Sequence, residues 1–163
     1  MIQFREAQRG EAIWLSSRLR PEDIREIETT TGKAPEVTVP LSFDVSTKCY
    51  TIRYSNNGVV ERYPLAICGV ADDPQDDLMG IVWMLATPRI QKVWLALMKV
   101  ADTWLDRLSE DYPEGLHNIV DARNMLHIRW LQKTGFRSLG TVTVNGYKFI
   151  HAARFNGVTK VSV

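Results

Sequence analysis

The chain has 163 residues, 45% apolar and 24% charged, with a formal net charge of +1. That length carries one hydrophobic core but not two comfortable ones, so a single domain over 1–163 is expected. No run approaches the roughly 18 apolar residues of a membrane span, and the opening MIQFREAQRG has charges where a signal peptide needs its apolar stretch, which predicts a protein that is intracellular when made.

Ile2 to Arg5 reads as a short strand and Gly10 to Leu19 as a helix. Pro21 then sits where a helix prefers its first-turn proline, and PEDIREIETTTG has early acids, Ile24 and Ile27 on one face, and a closing Gly32. KAPEVTVP reads as loop, and LSFDVST as one helical turn. From Lys48 the pattern changes to period two. KCYTIRYS, the turn NNG and VVERYPLAICGVAD make a β-hairpin, with Asn57-Gly58 supplying the positive-φ positions of a tight turn. DDPQDD is expected as a solvated acidic loop, and LMGIVWMLAT as a central strand buried on both faces.

The clearest helix spans 88–112, with Thr87 as cap and Pro88 at its first position. Its stripe of Ile90, Val93, Trp94, Leu97, Ala101, Trp104, Leu105 and Leu108 recurs at three- and four-residue steps. LHNIVDA is a short strand, NMLHIRWLQKTG a helix closed by Gly135, and FRSLGTVTV-NG-YKFIHAARF a second hairpin turning at Asn145-Gly146. The expected order is β-α-α-β-β-β-α-β-α-β-β.

The small net charge conceals an asymmetry. No Asp or Glu follows Asp121, while Arg123, Arg129, Lys133, Arg137, Lys148, Arg154 and Lys160 do, so the last 42 residues carry +7 and the first 121 carry −6. A positive surface able to meet phosphates, nucleic acid or an acidic partner is one consequence; strand alternation scattering the charges over both faces is the other. Cys49 and Cys68 lack CxxC spacing and a second ligand pair, so buried reduced thiols are expected and no metal site. Asp72, Asp73, Asp76 and Asp77 lack the glycine and terminal glutamate of a calcium loop. Trp83, Trp94, Trp104 and Trp130 fall on core positions, and nothing resembles a nucleophile elbow.

The element order, and the stretch N-x-x-H-x-x-W-L-Q-K-x-G-F from Asn124 to Phe136, resemble the GCN5-related N-acetyltransferase (GNAT) superfamily, whose fourth helix carries N-x-x-A-x-x-L-Y-E-K-x-G-F. VDARNMLHIRWLQKTGF, together with PLAI at Pro64 to Ile67, resembles the acetyltransferase-like internal virion protein of short-tailed bacteriophages. The resemblance implies an α/β fold with a mixed, splayed central sheet of about 6–7 strands and about four helices. It also implies a phage protein of the host cytoplasm or the virion, whose partners are virion proteins or a host protein.

In that superfamily acetyl-CoA lays its pyrophosphate on a glycine-bearing loop at the N-terminus of the third helix. The matching stretch here, ATPRIQKVWLAL, has no glycine, and Pro88 removes a donor. Arg89 and Lys92 remain as point charges, with Asn124 facing the cleft from the next helix. The tyrosine that protonates the leaving thiolate aligns with Leu131, and the small alanine with His127. Asn124, His127 and Leu131 share one helix face. An active enzyme would therefore rely on His127 as acid or base, Asp121 as its pair and Asn124 as orienter. Two functions follow: a virion-associated or assembly protein with a degraded acetyl-CoA site, favoured because both cofactor devices are missing together, or a divergent N-acetyltransferase acting on a host or phage amine.

Overall fold

Eight strands and five helices form along residues 1–157, the residues described by the computed structural model. In chain order they are β1 (Ile2–Glu6), α1 (Arg9–Ser16), α2 (Pro21–Thr31), α3 (Pro35–Val45), β2 (Lys48–Asn56), β3 (Val59–Val60), β4 (Ala66–Asp73), β5 (Asp76–Ala86), α4 (Ile90–Leu108), β6 (Gly115–Asp121), α5 (Met125–Lys133), β7 (Arg137–Val144) and β8 (Tyr147–Phe155). The strands run β1-β2-β4-β5-β6-β8-β7 across one sheet, with β3 paired to β2. Among the described residues only β5 and β6 pair in parallel, as the α4 crossover between them requires. No helix among the described residues is long and apolar enough to cross a membrane.

Period-two alternation divides the core between the two sheet faces. Ile52, Cys68, Val70, Leu116 and Ala152 meet Leu97, Leu105 and Leu108 of α4 on one face. On the other, Ile67 meets Ala12, Leu15, Ile27 and Val39 of α1, α2 and α3. Leu15, Val39 and Ile67 are wholly buried, each contributing roughly 1.5–3 kcal/mol relative to exposure.

The splay is visible in the register. β5 and β6 pair only at Met79↔Gly115, Gly80↔Leu116 and Ile81↔His117. Just beyond, the Asn118 amide group donates to the Val82 carbonyl at 2.6 Å. From there β5 stays with β4 up to Ala86 while β6 stays with β8 up to Asp121, leaving a wedge between them. Gly115 sits at the base with φ +130; a Cβ there would lie 2.1 Å from the Arg154 carbonyl oxygen.

Several expectations are corrected. KAPEVTVP is not loop but most of α3, whose Pro35 occupies the first turn. Pro40 lies inside the helix, and burial of Val39 and Pro40 outweighs the hydrogen bond it forfeits. The helix expected at 88–112 spans Ile90–Leu108 instead; at its start the Thr87 hydroxyl donates to the Leu65 carbonyl rather than capping, and at its end Ser109 caps. VVERYPLAICGVAD is two strands, β3 and β4, separated at Glu61–Leu65. The acidic loop is a tight turn at Pro74-Gln75, and three of its acids are engaged: Asp72 accepts from the Tyr112 hydroxyl, Asp73 bonds His117, and Asp76 accepts from the Leu78 amide. Asn57-Gly58 and Asn145-Gly146 take positive φ as their hairpins demand.

Candidate functional site

The wedge is an apolar cleft of about 110 Å³ lined by Val82, Met84, Leu97, Trp104, Trp130 and Leu131, among others, with Glu26, Asn118 and His127 as polar members. Its β5 wall presents backbone groups. The Val82 carbonyl is bound by Asn118, the Ala86 amide by Asp23 Oδ2 at 2.9 Å, and the Ala86 carbonyl by the Arg20 amide at 2.9 Å. Since alternate residues of a strand point their backbone groups the same way, the amide and carbonyl of Met84 face the wedge between these two tied positions. The Trp130 indole N–H is buried without a partner among the described residues.

A polar bridge from α2 spans the open end of the wedge. Pro21 starts this helix and Arg20 precedes it in an extended conformation, which aims both Arg20 and Asp23 inward. The Arg20 guanidinium donates to Asp23 Oδ1 at 2.9 Å and to Asn124 Oδ1 at 3.2 Å. Glu26 Oε2 accepts from the Asn124 side-chain amide and from the Asp121 backbone amide, each at 3.3 Å. The ends of β5 and β6 are thus tied through four side chains. Burial pushes the Glu26 carboxyl up to about 7, against the hydrogen bonds from Asn124 and Asp121 and with help from the charges of Asp23 and Asp121. Sequence reasoning missed Arg20, Asp23 and Glu26. Their signal was faint: Asp23 and Glu26 fall three apart beside Ile27, on the stripe that faces inward, where early acids would ordinarily serve only the helix dipole.

The sequence-derived residues gather here with different partners from those expected. Asn124 is wholly buried within the bridge. Asp121 is also buried, but both its oxygens bind the Arg123 guanidinium, at 2.9 and 2.6 Å, and this holds its carboxyl below the usual range. Among the described residues no hydrogen bond joins Asp121 to His127. His127 lines the cleft next to Trp130, and burial, then the Arg20 charge, pushes its imidazole down to about 3. It is neutral at physiological pH.

The mouth at the start of α4 is closed on itself. The amides of Ile90, Gln91 and Lys92 bond to the carbonyls of Thr87, Pro88 and Arg89 at 3.1, 3.4 and 3.0 Å, and the Thr87 amide bonds Leu65. Pro88 has no N–H, so the stretch leaves at most the Arg89 amide to offer an anion. The Arg89 side chain is held by Glu61 at 2.6 Å; Lys92 is exposed. These residues do not fit a pyrophosphate cradle.

No family sequence model matches the chain, and no curated protein matches it in sequence. Solved structures do match in fold. AAC(6')-Ib in complex with ribostamycin and coenzyme A superposes with a TM-score of 0.67 at 16% identity, over 95% of this chain and 93% of that one. A spermidine N-acetyltransferase SpeG chimera from Vibrio cholerae and hSSAT gives 0.65 at 12% identity, over 94% and 95%. An acetyltransferase of the GNAT family from Streptococcus pneumoniae gives 0.57 at 16% identity, over 96% and 100%. The chain has the GNAT acetyltransferase fold.

Proposed function

We propose that this chain is a bacteriophage protein that keeps the acetyltransferase scaffold with a degraded acetyl-CoA site, and that it works in the virion or its assembly through its surface. One observation carries the loss of the cofactor site: the first three amides of α4 are already satisfied by the preceding turn, and Arg89 is paired to Glu61. Backbone donors that face their own carbonyls cannot converge on phosphate oxygens, and one lysine is only a point charge. Leu131 at the cleft, with no proton to give, agrees with this. Fold alone does not establish chemistry. The phage assignment rests on the H-I-R-aromatic-L helix core and PLAI. Calorimetry with acetyl-CoA tests the reading: no measurable binding is expected, and micromolar binding would overturn it.

A second reading, a divergent N-acetyltransferase acting on an amine, is favoured by Glu26. A half-buried carboxyl held at about 7 beside an apolar cleft is poised to take a proton from an ammonium at neutral pH, and the Met84 backbone pair remains open to an amide-bearing ligand. Two of the fold neighbours are by name an aminoglycoside acetyltransferase in complex with coenzyme A and a spermidine N-acetyltransferase. This reading requires turnover of an amine panel that falls on the order of a hundredfold in Glu26→Gln.

A further inference from the structure

Away from the wedge, three side chains from three strands form a chain of contacts. Asp73, at the end of β4, accepts from the Gln75 amide through Oδ1 at 2.9 Å, which fixes its carboxylate. Its Oδ2 lies 2.8 Å from His117 Nε2, and His117 Nδ1 lies 2.9 Å from His151 Nε2. Leu116 and Ala152 face α4, so their neighbours His117 and His151 project from the opposite face of the sheet.

The order of these contacts has a chemical sense. A carboxylate only accepts, so His117 Nε2 carries the hydrogen, and in neutral His117 the lone pair sits on Nδ1, aimed at His151. A carboxylate bound to one nitrogen of an imidazole whose other nitrogen faces outward is the arrangement that orients histidine ligands of metal ions. The spacing agrees. Two imidazole nitrogens about 2.05 Å from one ion and at a right angle to each other stand about 2.9 Å apart.

The geometry points to a divalent transition-metal site at His117 Nδ1 and His151 Nε2, with Asp73 orienting His117 from behind. No group of three or more His, Cys, Asp or Glu among the described residues is arranged to hold an ion, so water completes the coordination and the ion stays exchangeable. Imidazole pairs favour Cu²⁺ over Ni²⁺ and Zn²⁺.

The test is titration of the untagged full-length chain with Cu²⁺, Ni²⁺ and Zn²⁺ salts at neutral pH, followed by electron paramagnetic resonance of the Cu²⁺ form. One ion per chain is expected, with a spectrum showing two coordinated nitrogens. His117→Ala and His151→Ala should each abolish that binding, and Asp73→Asn should weaken it about 10- to 100-fold, while His127→Ala leaves it unchanged. The wild-type spectrum keeps the test decisive even if a variant fails to fold. Absence of binding, a single-nitrogen spectrum, or affinity retained in folded histidine variants would each show that the pair shares only a hydrogen bond and overturn the inference.

Discussion

Arg20 and Asn124, 104 residues apart in the chain, meet across the open end of the wedge, the guanidinium donating to the side-chain oxygen at 3.2 Å. Each is almost wholly buried, and each also holds a carboxyl group, Asp23 for Arg20 and Glu26 for Asn124. The contact therefore ties α2 to the strand and helix on the far side of the splay.

Removing the cation should be costly. Arg20→Met leaves the Asp23 carboxylate buried beside only the Ala86 amide, and loss of one partner of a buried pair costs about 3–5 kcal/mol. Chemical denaturation of Arg20→Met measures it directly. Changing Arg20 and Asp23 together to apolar residues should cost less than Arg20→Met alone, and a larger loss in the double variant would mean that the pair is not the unit described.

Glu26 predicts a pH dependence whose sign follows from its raised value. A carboxyl at about 7 in the folded chain, against roughly 4.3 unfolded, binds its proton more tightly when folded. Its contribution is complete below the unfolded value and is lost as pH rises through about 7. Glu26→Gln removes that loss, so its denaturation midpoint should gain on the wild type between pH 5 and 8. Parallel pH profiles for the two proteins would contradict the assignment.

His127 is neutral at working pH, and removing it tests its chemical role separately from Glu26. Under the degraded-site reading, His127→Ala leaves any residual acetyl transfer unchanged. A loss on the order of a hundredfold, as general acid–base groups show, would restore it as a catalytic residue.

Gly135 ends α5 with φ +90, and Phe136 then enters the core at 6% exposure. Gly135→Val should destabilise the chain by about 1 kcal/mol or more, since a β-branched residue resists positive φ. An unchanged denaturation midpoint would show that this helix end tolerates strain.

The basic C-terminal third is partly spent on the chain's own structure. Arg123 binds Asp121 and covers the Tyr147 ring, and Arg154 binds Asp106 and the Thr134 carbonyl. Lys160 lies outside the described residues. Arg129, Arg137 and Lys148 are exposed. Changing these three to Glu should abolish co-purification with a virion or host partner while circular dichroism stays unchanged. Retained co-purification would leave the charge asymmetry without a partner.

Much of this architecture was legible in the residues alone, because it depends on local rules. Period-two runs with Asn-Gly turns specified the hairpins, the three- and four-residue stripe specified α4, and Gly135-Phe136 marked the end of α5. The missing glycines and Pro88 likewise announced an unusual start to α4, since backbone reach is a local property. Other features had no local signal. α3 forms over a proline because Val39 and Pro40 are buried against α1, an energy that exists only once the helices pack. Thr87 abandons its capping role for a carbonyl 22 residues earlier. Arg20, Asp23 and Glu26 look from the sequence like the solvated start of an amphipathic helix, and become a buried bridge only when the splay of β5 and β6 opens a space that α2 closes. The Asp73, His117 and His151 contacts likewise depend on three strands brought side by side. Periodicity assigns a residue to a face; only the packed sheet decides what that face meets, because burial and charge pairing are properties of neighbours distant in the chain.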